Sequence, residues 1–178
     1  MDLIKERYET ERLILCRPRP GDAEAVFARY AADPEVARYM SWPRHERIET
    51  VREFLAFSDA EWARWPGGPL LIESREGKLL GGTGFGFQSR DLAIVGYVLA
   101  RDAWGRGYAS EALRGVVAMA AAVAPVRLEA SCHADHRASA RVMEKCGFQF
   151  DGRRAAHAEF PNLAPGVRCD VLRYSRQV

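Results

Sequence analysis

Paired metal-ligand spacings are missing from this sequence. Its four cysteines, Cys16, Cys132, Cys146 and Cys169, lie far apart and form no CxxC pair. A zinc site needs ligands at close, paired spacing, so no metal is expected. The spacing leaves disulfide pairing open, but nothing in the sequence indicates secretion.

Long apolar runs and an excess of one charge are also missing. No apolar run approaches the roughly 20 residues that cross a bilayer. The opening MDLIKERYETERL is charged and lacks the apolar core of a signal peptide. Lys and Arg number 26 and Asp and Glu 24, for a net charge of +2. This near balance gives no bulk attraction to nucleic acid or membrane, so we expect neither as a partner. With no signal peptide and no membrane span in the sequence, we expect a cytoplasmic protein whose thiols are reduced.

What is present is an ordinary globular composition, with 48% apolar and 28% charged residues. The length of 178 residues suits one domain, 1–178. Helical spacing marks 21–40, 46–65, a stretch from about Tyr108, and His136 to Cys146. Strand patterns are ERLILCRP, LLIES, KLLGGTGFGFQ, LAIVGYVLA, VRLEASCH, FQFDGRR and RCDVLRYSR. Their order predicts one mixed α/β sheet.

Helix boundaries can be placed from single residues. Asp22 and Asp135 are expected to cap the helices that follow them. Pro34 should break the first helical region into two pieces. Gly147 should close the last helix.

The stretch RDAWGRGYASEAL, 101–113, places glycines directly before a helix. The first amides of a helix lack internal partners, the helix dipole is positive there, and glycine lets an anion approach the backbone. Arg106 adds a full charge. The amides from Gly105 to Ser110 are therefore candidates to bind a diphosphate. On spacing alone, a tight connection with an incidental arginine is equally consistent.

A second glycine-rich stretch, GGTGFGF at 81–87, offers a superficially similar spacing. No helical pattern follows it, whereas a dinucleotide-binding fingerprint requires strand, glycines and helix in that order. Glycines inside a strand more often mark a bulge or close packing, which is the expectation here.

Two segments, VGYVLARDAWGRGYASEAL and HRASARVMEKCGF, together resemble the GNAT superfamily of acyl-CoA-dependent N-acetyltransferases. The similarity is strongest to its ribosomal-protein-alanine acetyltransferase-like (RimJ/RimL) branch, and ETERLILCRPRPGDAEAVF and DVLRYS extend it over nearly the whole chain. The resemblance implies a twisted, mostly antiparallel sheet flanked by helices. Its two central strands, about 93–99 and 127–133, would splay apart around acyl-CoA.

The resemblance also implies where the cofactor binds. The pyrophosphate would lie on the glycine turn, and the pantetheine arm would pair with backbone near Val98 and Leu99. His136 stands where the family commonly has Asn, and Trp104 where the superfamily often has Gln or Arg. The implied cofactor-binding residues are Val98, Leu99, Trp104, Gly105, Arg106, Gly107, Tyr108, Ala109, Ser110 and His136.

Two departures concern catalysis. Many members carry a Tyr where this sequence has Met143, which cannot donate a proton. Ser139, one helical turn earlier, is therefore the expected group at the sulfur, as in the named branch; a serine bonded to its own backbone is the alternative. The family's strand Glu is replaced by Ile94.

The base and the acceptor pocket are left open by the residues. Glu159, His157 and Asp170 are candidate bases, and a water chain or an amine that arrives neutral would also serve. Aromatic residues that could line an acceptor pocket, or pack in the core, are Trp42, Trp65, Phe85 and Phe160.

The expected function is acetyl-CoA-dependent N-acetylation of a primary amine by direct attack in a ternary complex. The acceptor could be a protein N-terminus, an amino acid or a small amine. The alternative is a catalytically degenerate CoA-binding sensor or scaffold, which the missing Tyr and Glu favour. A nicotinamide-dependent oxidoreductase is a distant third, and a homodimer is left open.

Overall fold

A mixed sheet of eight strands organises the residues that the computed structural model describes, 4–123 and 126–178. The strands are β1 (Arg7–Glu9), β2 (Leu13–Cys16), β3 (Pro69–Ser74), β4 (Leu79–Phe87), β5 (Leu92–Leu99), β6 (Arg127–His133), β7 (Gln149–Glu159) and β8 (Arg168–Gln177). They lie in the order β1-β2-β3-β4-β5-β6-β8-β7, and every neighbouring pair is antiparallel except β5 and β6. The predicted single mixed, mostly antiparallel sheet is confirmed.

Helices cover both faces of the sheet. They are α1 (Ala23–Val26), which continues as a π-helical turn over Phe27–Ala31, α2 (Pro34–Ala37), α3 (Ile48–Arg64), α4 (Tyr108–Ala121) and α5 (Arg137–Lys145). α4 and α5 bury Leu113 and Met143 against one face, and α1 and α3 bury Val26 and Val51 against the other. Within the described residues, no helix combines the length and apolarity that crossing a bilayer requires.

The first helical region divides at Pro34, as predicted. α2 begins at this proline and is capped by Asp33, whose carboxylate accepts amide hydrogen bonds from the first turn. Asp22 stands at the N-cap position of α1, but its carboxylate does not cap that helix. It accepts the Arg19 amide instead, at 2.6 Å, because a short 3₁₀ turn precedes α1.

The predicted N-cap of the last helix is wrong. α5 is preceded by His136 rather than by Asp135, and no side chain caps it. The Asp135 amide donates to Nδ1 of His133 at 3.1 Å. This turn leaves the Asp135 side chain 83% exposed and delays the helix start by one residue. Gly147, with a φ of 76°, follows the end of the helix as expected.

Two strands differ from the predicted pattern. β1 was not predicted. This edge strand has only three residues, RYE, and only Tyr8 of them packs against the core, so its sequence is too short to show an alternation of apolar and polar residues. β7 continues beyond the predicted FQFDGRR as far as Glu159. It is the opposite edge strand, and two register shifts against β8 let it continue with an exposed, charged sequence.

The glycines of 81–87 allow close packing inside β4, as predicted. A Cβ placed on Gly81 would lie 2.0 Å from the carbonyl oxygen of Val98 on β5. Gly84 has a φ of +130°, and a Cβ there would lie 2.5 Å from the carbonyl oxygen of Gly68. The strand leads into β5 through a turn and not into a helix, so the dinucleotide-binding fingerprint is wrong for this segment.

The central strands β5 and β6 separate after a short parallel contact. In the described structure they pair over Leu92–Ile94 and 127–129 and not beyond. β5 continues to Leu99 along β4, and β6 continues to His133 along β8. Each strand therefore keeps one ladder and turns its other edge toward a gap, as the resemblance implies.

The close packing at Gly81 makes a stability prediction. Gly81→Ala should lower the free energy of unfolding by about 3 kcal/mol, because the clashing atoms belong to the β5 backbone and cannot move aside. Gly86→Ala is the matched control, since its Cβ would meet the nearest atom at 3.7 Å. That change should stay within about 1 kcal/mol of wild type in urea unfolding. Equal effects of the two substitutions would contradict the assigned packing.

Candidate active site

The glycine turn lies at the end of β5, at the mouth of the gap. Gly105 and Gly107 have φ angles of 71° and 79°, the left-handed region that favours glycine. The first intrahelical bond of α4 runs from the Glu111 amide to the Gly107 carbonyl at 3.1 Å. The amides of the first turn, from Tyr108 to Ser110, therefore precede the helical ladder. A Cβ on Gly105 would meet nothing within 4 Å, so space in front of the turn is open.

A carboxylate latch from the N-terminal segment holds this turn. Glu111 accepts hydrogen bonds from the Thr10 hydroxyl at 2.6 Å, the Arg12 amide at 2.8 Å and Arg12 Nε at 2.7 Å. Arg12 Nη1 also donates to the Arg106 carbonyl at 3.0 Å, and its guanidinium lies 4.7 Å from the Tyr108 ring centre. One arginine thus holds the turn through a carbonyl of its backbone and engages none of the amides of 108–110.

The latch changes the ionisation of its carboxylate. Burial opposes ionisation of Glu111, but the hydrogen bonds from Thr10 and Arg12 outweigh it and hold its pKa below the usual value. A carboxylate in the first turn of a helix is also favoured by the helix dipole. Sequence reasoning missed this contact, although the ETER segment that supplies it belongs to the stretch that resembles the family.

Trp104 links the turn back to β5. Its indole Nε1 donates to the Leu99 carbonyl at 2.8 Å, and the residue is 45% exposed. The Val98 side chain packs on the face of the sheet that α1 and α3 cover, with Val26 and Val51. The structure therefore places the predicted cofactor-binding residues of β5, the turn and the start of α4 at one end of the gap.

Ser139 lies across the gap from this end, on α5. Its hydroxyl is 2.9 Å from the hydroxyl of Tyr97, a β5 residue that sequence reasoning did not single out. Met143, at the usual position of the donor Tyr, is 1% exposed within the core. Burial raises the pKa of the Cys132 thiol to about 11 although a hydrogen bond with Ser139 lowers it, so the thiol keeps its proton at neutral pH.

His136 belongs to an aromatic cluster beside the gap. Its ring stacks on Tyr39 with centres 4.6 Å apart, and Tyr39 also contacts His133 at 5.3 Å. Phe160 meets the His133 ring edge-on at 4.9 Å. Burial lowers the pKa of His136, and His133 lowers it further, so the His136 ring is neutral at neutral pH. Contact between His136 and a cofactor stays a prediction.

Between this cluster and the residues that pair β5 with β6, Ile94 and Gly96 leave one face of β5 uncovered, and we call this surface the bare face. Ile94 is 47% exposed there, and a Cβ on Gly96 would meet nothing within 4 Å. Glu129 is the register partner of Ile94 on β6, so a carboxylate lies one strand away from the position of the family's Glu. It is paired with Arg173 at 2.8 Å and Arg127 at 3.1 Å.

The three predicted bases lie on the β7–β8 hairpin. Asp170 accepts the Ala156 amide at 2.9 Å and Arg153 Nε at 2.8 Å, and these contacts lower its pKa. A carboxylate so engaged is a weak base. His157 and Glu159 are exposed on the edge strand, and a catalytic part for either stays a prediction.

The four aromatic residues proposed for an acceptor pocket divide into two pairs. Phe85 and Trp65 pack in the core, with Phe87 between them. Trp42 contacts His45, and the amide of Asn162 donates to the Trp42 carbonyl at 2.8 Å. Asn162 thereby ties the segment after α2 to the segment after β7, next to Phe160, at the edge of the bare face.

Comparison with known proteins gives one family. Residues 12–149 match the family described as acetyltransferase (GNAT) domain. YoaA of Bacillus subtilis, named an uncharacterised N-acetyltransferase, is 36% identical over 154 residues, covering 81% of this chain and 83% of that protein.

Solved structures share the fold. The microcin C7 self-immunity acetyltransferase MccE, solved with acetyl-CoA and AMP, superposes with a TM-score of 0.85 at 20% identity, over 95% of this chain and 94% of that one. RimL, a ribosomal alpha-N-protein acetyltransferase solved with coenzyme A, gives 0.84 at 20% identity, over 99% and 98%. At these identities the likeness establishes the fold alone.

The latch predicts a pH-dependent contribution to stability. Glu111→Gln should lower the free energy of unfolding at pH 7 by about 2 kcal/mol, the scale of hydrogen bonds to a charged group. The folded-state pKa of Glu111 is depressed, so the wild-type advantage is complete above the unfolded pKa of about 4.3 and disappears as pH falls through the folded value.

Urea unfolding of both proteins across this pH range measures the difference. Glu24→Gln is the control, because its ion pair with Arg52 is exposed on both sides and should contribute little. A constant difference between wild type and Glu111→Gln at all pH values would exclude an ionised latch.

Proposed function

This chain belongs to the GNAT acetyltransferase family, and from this membership we propose that it transfers the acetyl group of acetyl-CoA to a primary amine by direct attack in a ternary complex. One observation carries the proposal. The gap between β5 and β6 opens at a left-handed glycine turn that leads directly into the first turn of α4. Such a turn suits a diphosphate, and such a gap suits an extended arm.

The donor lies along the gap in this proposal. Its pyrophosphate rests on the amides of 105–110, with the exposed Arg106 beside it. Its pantetheine arm pairs with the free edge of β5 near Val98 and Leu99, and it passes His136 on the other side. The complexes of MccE with acetyl-CoA and of RimL with coenzyme A support this choice of donor.

Ser139 hydrogen-bonds the sulfur as the thiolate leaves. A hydroxyl that already stands at the gap needs little reorganisation when negative charge develops, which is how fixed dipoles lower a barrier. Met143 cannot take this part, and Cys132 remains a buried thiol. Holding amine and thioester in one complex supplies much of the remaining rate.

The amine approaches from the bare face of the sheet. Ile94 and Gly96 form its floor, and the cluster of Tyr39, His133 and Phe160 forms one side. This face is open to solvent, so an ammonium group can lose its proton to water before attack. A protein N-terminus, an amino acid or a small amine would each fit this chemistry.

Calorimetric titration with acetyl-CoA tests the donor site. We expect about one site per chain and micromolar affinity for wild type. Gly107→Val should weaken binding at least ten-fold, because a branched side chain would cover the amides that receive the diphosphate. The fold should persist, because a Cβ at this position has its nearest neighbour, Arg12 Nη2, at 3.4 Å.

Gly77→Val is the matched control for this titration. Gly77 has a φ of +83°, close to the +79° of Gly107, and a Cβ there would meet nothing within 4 Å. Both variants carry the same backbone strain, of about 1–2 kcal/mol, and Gly77 lies in the turn between β3 and β4. Unchanged acetyl-CoA affinity in a folded Gly107→Val protein would show that the site is misplaced.

Release of free CoA in the presence of amines tests the reaction. Wild type should turn over at least one member of a panel of peptides with free N-termini, amino acids and small amines. Ser139→Ala should reduce kcat about 10²-fold with little change in acetyl-CoA affinity. Tight acetyl-CoA binding without turnover of any amine would favour the sensor or scaffold instead.

A further inference from the structure

Two short contacts join Tyr97 to Ser139. The Tyr97 hydroxyl lies 2.8 Å from the Ser139 carbonyl oxygen and 2.9 Å from the Ser139 hydroxyl. Tyr97 is on β5 and Ser139 is on the helix that follows β6. The contacts therefore cross from one side of the gap to the other, where the strands no longer pair.

The direction of the protons follows from the acceptors. A carbonyl oxygen can only accept, so the Tyr97 hydroxyl donates to the Ser139 carbonyl. With that proton engaged, the Tyr97 oxygen is open to accept the proton of the Ser139 hydroxyl. In this state the lone pairs of Ser139 Oγ face away from Tyr97.

A change of proton direction is available to the same pair. If the Ser139 hydroxyl turns its proton toward a thiolate, the Tyr97 hydroxyl can turn its own proton to Ser139 Oγ. Ser139 Oγ then accepts from Tyr97 while it donates to the thiolate, and the Ser139 carbonyl gives up the Tyr97 proton in exchange. Successive hydrogen bonds in such a chain strengthen one another. Burial raises the pKa of Tyr97 far above its usual value, so the phenol keeps its proton throughout.

We propose that Tyr97 is the positioning residue of the acetyl transfer: it holds the Ser139 hydroxyl at the sulfur and donates to it when the thiolate forms. The inference rests on the proposed function, because it needs a CoA sulfur in the gap. No covalent bond of Tyr97 changes, and the thiolate finally takes its proton from solvent.

The kinetic test is Tyr97→Phe, which removes the hydroxyl and keeps the ring. We expect kcat to fall about ten-fold, the effect of one hydrogen bond made in the transition state, while KM for acetyl-CoA changes less than about two-fold. In a Ser139→Ala background the same substitution should have no further effect, because Tyr97 acts only through that hydroxyl. Additive losses would overturn the proposal.

Tyr174→Phe is the matched control. The Tyr174 hydroxyl also ties the sheet to α5, but it donates to Glu144 Oε1, at 3.0 Å, and not to Ser139. It should cost stability without lowering kcat. If both tyrosine substitutions lower kcat equally, the effect is loosened docking of α5, and the positioning role is wrong.

A second measurement does not depend on turnover. The ultraviolet absorbance of the thiolate, followed against pH, gives the thiol pKa of CoA bound to the protein. A hydroxyl aimed at the sulfur stabilises the thiolate, so Tyr97→Phe should raise the bound thiol pKa by about one unit and Tyr174→Phe should not.

The two proposals fail differently. Wild type that binds CoA, shifts its thiol pKa through Tyr97 and acetylates no amine would refute the proposed reaction alone. Wild type that acetylates an amine with the same kcat as Tyr97→Phe, and with an unshifted thiol pKa in both proteins, would refute the inference alone.

Discussion

The parting of β5 and β6 is the constraint on which the rest of this structure depends. Two parallel strands that pair over three residues and then separate leave backbone donors and acceptors facing a gap. The outer ladders with β4 and β8 continue, so the strands stay extended and those free groups stay aligned. A gap of this kind matches an extended ligand with amide groups of its own, and the carboxyl ends of both strands deliver a helix to its mouth.

The glycine turn at the mouth of the gap is held in one conformation although glycine is the most flexible residue. A turn with two left-handed glycines has many conformations open to it, and ordering it only when an anion arrives would weaken binding. Glu111 and Arg12 remove most of that freedom beforehand, through contacts between residues 99 apart in sequence. Because Arg12 donates to the Arg106 carbonyl, the turn is held from its acceptor side, and the proposed phosphate contacts are left to its amides.

Local patterns predicted what local geometry decides. The single mixed sheet, the break at Pro34, the close packing of the β4 glycines and the turn before α4 all follow from short stretches of sequence, and the family resemblance added the splay. The pattern could not show which distant side chains would meet. The Glu111 latch and the Tyr97–Ser139 pair join elements 99 and 42 residues apart. Asp135 does not cap α5 because its amide donates a hydrogen bond to the His133 ring, a contact that the periodicity of the sequence cannot predict.

One end of the gap is formed by backbone groups and the other by side chains, and this explains why the first was easier to predict from sequence. The proposed donor end consists of backbone amides and glycine torsions, which a spacing of residues specifies directly. The proposed acceptor end consists of side chains from three separate segments, Tyr39, His133 and Phe160, brought together by the tertiary fold. Asn162 fixes two of those segments to each other by donating to the carbonyls of Ala37 and Trp42. A fold arranged in this way can keep one donor site while the side chains beside the bare face change, so the proposed function places acceptor choice in residues that no motif near the glycine turn reveals.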